Sequence, residues 1–256
     1  MDLLVVGAGA MGRWFAAAAS DAVESVAFAD RDPEAAAGAA EAVGGRAVPA
    51  PPPETFDAVC VAVPIPAVED AIATYADHAI RAVVDVTGVM ETAVSAMADH
   101  APGAERVSFH PLFAPERAPG TLAVVPDEPG PITDDLRAAL ADRGNDLFET
   151  TAEEHDAAMS SVQGAAHAAV LAYALAASEV REEFHTPVSR PLTDLAELVT
   201  DGNPRVYADI QGAFDGADDV AAAAERIADA DAEEFADLFE AAGLRFEHAD
   251  GGGEGT

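Results

Sequence analysis

Short, nearly continuous apolar runs recur through the first half of the chain, at residues 3–6, 25–29, 57–63, 82–86 and 106–109. Runs of this length and purity predict strands buried on both faces of a sheet. Between them lie stretches of helix-forming composition at 13–19, 33–43, 67–75 and 91–98. Asp32 caps the second of these and Pro33 opens its first turn, while Gly44 and Gly45 close it. A short strand near 46–48 then leads into a stiff proline-rich connector. Strand and helix alternate through residue 109, which predicts right-handed crossovers. The expected class is α/β, a Rossmann-type doubly wound parallel sheet. A strand at 121–125, a helix at 132–141 and a strand at 146–150 complete a first domain spanning 1–150.

The pattern changes at residue 151. From there to about 183 the chain has no proline and a single glycine, Gly164. At about 1.5 Å per residue this reads as one helix of up to ~45–50 Å. Thr151, followed three residues later by Glu154, forms a capping box at its start. Further helices are expected at 188–199, 204–214 and 218–242, making an all-α C-terminal domain over 151–247. A helical domain this small, with so many small apolar residues, struggles to bury its own surface. A homodimer through the C-terminal helices is therefore expected. Residues 248–256 are polar and glycine-rich and are expected to be disordered.

Charge narrows the functional classes. The net charge is −34 across 256 residues, and all 13 basic residues are arginine. Such a polyanion is repelled by nucleic acid and by anionic membrane, so neither is an expected partner. Half the residues are hydrophobic, which is not the composition of a disordered chain. Acidity combined with a full core fits a protein adapted to the salt of an extreme halophile, where a Debye length of about 3 Å at 1 M screens self-repulsion, the alternative being an ordinary acidic mesophilic enzyme. Cys60 is the only cysteine and lies in an apolar strand, which excludes a disulfide framework and a cysteine-based metal site. No metal is expected. Met1 leads straight into the first strand, and no long apolar run free of charge marks a membrane span. A cytoplasmic location is expected.

The chemistry begins at the first strand. Gly7, Gly9 and Gly12 follow it in G-x-G-x-x-G spacing, with Ala10 and Met11 between them and a helix beyond. The first glycine permits the tight turn, the second lets a pyrophosphate approach bare backbone, and the third lets helix pack on sheet. The helix that starts there directs unpaired N–H groups at the phosphates. A plain glycine turn would show the same spacing. The dinucleotide reading gains from Asp30, which ends the second strand eighteen residues past Gly12 and is placed for a ribose hydroxyl pair. Asp30 disfavours the extra phosphate of NADP, whereas Arg31 beside it keeps NADP possible. NAD is the expected cofactor.

Ligands of such sheets bind outside the carboxyl ends of the strands. Val63 and Pro64, Thr87 and Gly88, and His110 stand there. His110, held by Pro111, suits a general acid or base, although position alone fits a loop-bonding histidine equally. On the long helix, Asp156, Ser160, Gln163 and His167 fall on one face at 100° per residue. His155 points away from them and reads as an exposed first-turn residue. An anionic substrate would need arginine, and Arg117, Arg190 and Arg205 are the candidates.

These residues together resemble the prephenate (arogenate) dehydrogenase family, in particular its compact archaeal branch. The matching stretches are GAGAMGRWFA (7–16), VAVPI (61–65), VDVTGV (84–89), HPLFAPE (110–116), EEHDAAMSSVQGAAH (153–167) and NPRVYADIQ (203–211). The resemblance implies NAD-dependent oxidative decarboxylation of prephenate to 4-hydroxyphenylpyruvate in tyrosine biosynthesis. It implies that His110 is the catalytic histidine, hydrogen-bonded to the substrate hydroxyl, and that His167 binds substrate. Gln163, Thr87 and Arg190 join His167 as substrate-binding candidates, Arg190 for the carboxylate. The sequence departs from the family at Gly88 and Met90, where serine and lysine are usual and the serine orients the histidine. Alternatives are arogenate as substrate, another reductase of the same architecture, or a dinucleotide sensor without turnover. Against a β-hydroxyacid dehydrogenase, the chain lacks that group's catalytic lysine.

Overall fold

The computed structural model describes residues 1–247; the tail expected to be disordered, 248–256, lies outside the described residues. The chain divides into two compact units, one of residues 1–159 with 203–213 and one of residues 160–202 with the chain from 214 onward.

The first unit is built on an eight-stranded sheet: β1 (Asp2–Val6), β2 (Ser25–Ala29), β3 (Arg46–Ala47), β4 (Phe56–Val61), β5 (Ala79–Asp85), β6 (Glu105–Pro111), β7 (Thr121–Glu128) and β8 (Asp146–Glu149). Their spatial order is β3-β2-β1-β4-β5-β6-β7-β8. The order reverses between β1 and β4, which makes their carboxyl ends the switch point where such sheets bind ligands. The sheet is mixed rather than wholly parallel. β7 returns antiparallel to β6, pairing Ala123 with His110, and β8 runs parallel to β7. The connection from 111 to 121 contains no crossover helix, so the chain can only fold back beside the strand it has left.

Helices α1 (Ala10–Ala18), α2 (Pro33–Val43), α3 (Val68–Tyr75), α4 (Met90–His100) and α5 (Pro131–Asp142) cover the sheet. One face packs Leu3, Val5, Phe15, Phe28, Val84, Phe109, Leu122 and Leu136 together; the other packs Leu4, Val59, Ile72, Val83 and Met97. Alternate residues of each strand thus fill opposite cores, as a doubly covered sheet requires. Glu105 fixes the start of β6 by accepting from the backbone N–H groups of Ile132 and Thr133 at the head of α5. Arg106 joins β6 to β7 through Asp127 at 2.7 Å. Helix α6 (Ala152–Met159) and, later in the chain, α9 (Pro204–Ala213) also belong to this unit.

The second unit contains α7 (Ala166–Ala176), α8 (Ser189–Thr200), α10 (Gly216–Asp229) and α11 (Ala232–Glu247). The single helix expected over 151–183 is not continuous α-helix: residues 160–165 form a π turn, and α7 ends at Ala176. Thr151 caps as expected, accepting from the Glu154 N–H at 3.1 Å, but the Glu154 carboxylate turns to the Thr150 hydroxyl. The helix expected over 218–242 is two. Asp231 accepts from the N–H groups of Glu233 and Glu234, and Glu234 accepts from the Asp231 N–H, so a capping box restarts the chain there. No helix among the described residues is long and apolar enough to cross a membrane.

Candidate active site

The turn from β1 into α1 is shaped by close approach. Gly7 has φ +102°, and a Cβ on it would lie 2.3 Å from the Ala62 carbonyl oxygen on the neighbouring connection after β4. A Cβ on Gly12 would lie 2.1 Å from the Gly7 carbonyl oxygen. Any side chain at either position would displace the turn. Gly9 differs, because a Cβ there would meet nothing within 4 Å. Its bare backbone faces open space at the N-terminus of α1, whose first turn has no side-chain cap. This is the shape a pyrophosphate needs. Ala10 is exposed and Met11 half-buried beside it. The Asp30 carboxylate is held across the end of β2, accepting from Ala8 N–H at 2.7 Å and Asp32 N–H at 2.9 Å. Each of its oxygens keeps a second lone pair for a ribose hydroxyl. Arg31 is exposed next to it, and Val63 and Pro64 follow β4 at the switch point. The residues present fit a dinucleotide.

At the carboxyl end of β5, Asp85 is fully buried and its Oδ2 accepts from the Thr87 N–H at 2.9 Å and the Thr87 hydroxyl at 2.5 Å. The one proton of that hydroxyl is thereby directed at Asp85. Thr87 shapes the loop that carries Gly88. Burial pushes the Asp85 carboxyl up to about 6, against the opposing pull of the Thr87 hydrogen bonds, the Ser108 hydroxyl and nearby His155. Ser108 is the register partner of Asp85 on β6, yet its hydroxyl and Asp85 Oδ1 form no well-shaped hydrogen bond. Ser108 therefore acts on Asp85 through proximity.

His110, near the end of β6, is buried. Its Nδ1 lies 2.8 Å from Nε2 of His155, and the two rings meet edge to face. His155 is itself only 3% exposed, so it is not the solvent-facing residue that its helical phase suggested. Its Nδ1 lies 2.7 Å from Oδ1 of Asp156. The Asp156 carboxylate also accepts from the N–H groups of Met90 at 2.9 Å and Glu91 at 3.0 Å, which anchors α6 to the start of α4. Burial raises the Asp156 carboxyl, but the hydrogen bonds from His155, Met90 and Glu91 outweigh it and hold the group below the usual carboxylate range. Burial, with His155 close by, drives His110 down to about 3, only partly offset by the Asp156 charge. His110 is thus neutral at any ordinary pH, and one ring nitrogen must carry a lone pair. On the far side of the ring, the Cβ position of Gly88 is 3.5 Å from Nε2. That nitrogen has no side chain set against it from residue 88.

The structure places the glycine turn, Asp30, Val63, Pro64, Thr87 and His110 in one unit, all at the carboxyl ends of neighbouring strands. Gln163, His167 and Arg190 lie in the other. Arg190 pairs there with Glu182. Burial lowers His167 from its usual range. The π turn also breaks the 100° count that put Asp156, Ser160, Gln163 and His167 on one helix face. Sequence reasoning missed the inward turn of His155 and the role of Asp156 beneath it. The signal was the adjacent pair itself, a histidine next to a carboxylate at a helix start, but nothing local shows which side of α6 meets β6.

The family model described as "NADP oxidoreductase coenzyme F420-dependent" matches residues 2–88. A 4-amino-4-deoxyprephenate dehydrogenase of Streptomyces pristinaespiralis is 32% identical over 233 residues, covering 84% of this chain and 78% of the relative. Among solved structures, the prephenate dehydrogenase of Aquifex aeolicus in complex with hydroxyphenyl propionate and NAD+ aligns with TM-score 0.67 at 16% identity, covering 96% of this chain and 98% of that one. Synechocystis arogenate dehydrogenase aligns with TM-score 0.61 at 18% identity, covering 97% and 100%. At those identities the two structures speak to the fold.

Proposed function

This chain belongs to the prephenate dehydrogenase family, and on that premise we propose that it oxidatively decarboxylates prephenate to 4-hydroxyphenylpyruvate, with NAD as cofactor. The observation that carries this reading is the buried, uncharged His110 at the carboxyl end of the sheet, its Nε2 3.5 Å from the Cβ position of Gly88. The turn at Gly7, Gly9 and Gly12 and the Asp30 carboxylate would hold NAD, which when bound accepts the hydride from the ring carbon bearing the hydroxyl.

His110 does the proton work. Its Nε2 accepts the hydrogen bond of the substrate hydroxyl and takes that proton as the C–H bond gives up its hydride. The bond to the ring carboxylate then breaks, carbon dioxide leaves, and the electron pair enters the ring. The proton returns from Nε2 to the ring oxygen, which yields the phenol. Atoms and charge balance with no further reactant. An arginine is required for the substrate carboxylates, and Arg190 remains the candidate for one of them, with Gln163 and His167 as further substrate contacts.

A second substrate is favoured by one observation, the 32% identity to a 4-amino-4-deoxyprephenate dehydrogenase. An amine in place of the hydroxyl presents an N–H donor to the same Nε2. Arogenate differs from prephenate at the side chain, remote from His110.

The test is NADH formation in multi-molar salt with prephenate, arogenate and 4-amino-4-deoxyprephenate in parallel, for wild type and His110→Ala. Turnover of prephenate that falls by about 10²–10⁴-fold in the variant, with NAD binding unchanged, supports the reading. Preference for the amine in kcat/KM moves the assignment to that substrate, and tight NAD binding without turnover of any of the three overturns the dehydrogenase reading.

A further inference from the structure

His110 offers the substrate a base only if its lone pair lies on Nε2, and nothing at position 88 fixes that, since glycine has no hydroxyl to offer. The other edge of the ring does. Asp156 accepts from two backbone N–H groups and is held ionised by them, so it can only accept from His155. A neutral His155 must therefore carry its proton on Nδ1, which leaves its Nε2 as an acceptor. At 2.8 Å from that acceptor, His110 Nδ1 must be the donor. The proton order is then determined along the chain: Asp156 orders His155, and His155 orders His110.

We propose that His155 and Asp156 are positioning residues that hold His110 with its proton on Nδ1 and its lone pair on Nε2, the edge of the ring nearer Gly88. The arrangement has three further supports in the structure. All three residues lie in one compact unit, so their spacing does not depend on the second. His155 is buried and cannot exchange its partner for water. Asp156 is tied to α4 as well as to His155, which fixes the height of the carboxylate against the ring. The Asp156 charge also favours a proton arriving on His110, because it raises that group's affinity through space. The proposal rests on the reading of His110 as proton acceptor, but its first test does not.

The experiment is long-range proton–nitrogen NMR on the nitrogen-15-labelled full-length protein in high salt, with the His110 signals assigned by their loss in His110→Gln. Wild type, His155→Gln and His155→Leu are compared, followed by kcat and KM of each with NAD and prephenate. Wild type should show a protonated Nδ1 and a bare Nε2. Gln can accept from His110 and donate to Asp156, so it should keep that tautomer and retain most of kcat. Leu should shift the proton towards Nε2 and lower kcat on the order of 10–100-fold, the scale of lost outer partners at active sites, with NAD affinity unchanged. A wild-type spectrum with the proton on Nε2 overturns the proposal whether or not Leu folds. So does a Gln variant no better than Leu. If the tautomers behave as stated but no variant turns over prephenate, the substrate assignment fails and the positioning role stands.

Discussion

The Cβ position of Gly88 lies 3.5 Å from Nε2 of His110 and 3.4 Å from Cδ1 of Ile65, both ordinary contact distances. A single Cβ fits there at contact distance, and the turn before α1 offers the opposite case. Gly88→Ala should therefore fold with stability within about 1 kcal/mol of wild type, while raising KM by crowding the atom that receives the substrate proton. Gly7→Ala places a Cβ 2.3 Å from a carbonyl oxygen at φ +102°, and should cost about 1–3 kcal/mol and abolish NAD binding. Denaturant melts and NAD titration of the two variants check both statements. Equal losses in the two would show that position 88 is as constrained as position 7.

The buried groups set a specific pH dependence of stability. His110 titrates at about 3 when folded against an ordinary 6.5, so between those values the unfolded chain binds a proton that the folded one does not. That contribution is complete above pH 6.5 and is lost as pH falls towards 3. Asp85 titrates at about 6 when folded against 3.8, so the folded state binds the extra proton in that window and loses stability as pH rises through it. The two oppose each other between 3.8 and 6. Below 3.8 the depressed Asp156 adds its own loss to that of His110. Denaturant midpoints at constant high salt should be nearly flat from about pH 6 to 4 and fall steeply below. Asp85→Asn should remove the opposition and reveal a slope of about 1.4 kcal/mol per pH unit in that range. A variant that stays flat there would contradict the assignment.

Salt should act on the whole molecule. With 47 acidic residues against 13 arginines, self-repulsion is large, and it is screened at a Debye length of about 3 Å in 1 M salt but reaches about 10 Å at 0.1 M. The Tm should fall progressively on dilution of sodium chloride from multi-molar levels. A Tm independent of salt would remove the case for a halophilic protein.

Helix α7 carries only apolar residues and tyrosine apart from His167, yet none of its residues is buried, and Leu175 is 88% exposed. Exposed Val188 and Phe184 lie in the same unit. Apolar surface on this scale is expected to meet a second copy of the chain. Sedimentation should give twice the monomer mass, and Leu175→Glu should shift it to monomer. A monomeric wild type at micromolar concentration would count against the dimer.

Much of the first unit is legible in the sequence because its signals are local. Apolar runs of strand length, the glycine spacing after β1, the Asp32–Pro33 helix start and the placement of His110 at a strand end all follow from steric and hydrogen-bonding rules acting over a few residues. The register that turns β7 antiparallel, the π turn at 160–165 and the capping box at Asp231 depend on competition between local choices, and periodicity alone resolved none of them. The proton order at His110 is different in kind. His110 and His155 are 45 residues apart, and only the packing of α6 against the end of β6 brings their nitrogens to 2.8 Å. Chemistry at a residue type is written in the sequence, whereas the direction of a hydrogen bond between distant residues belongs to the tertiary structure, because a donor and an acceptor acquire their roles only from the partners folding sets beside them.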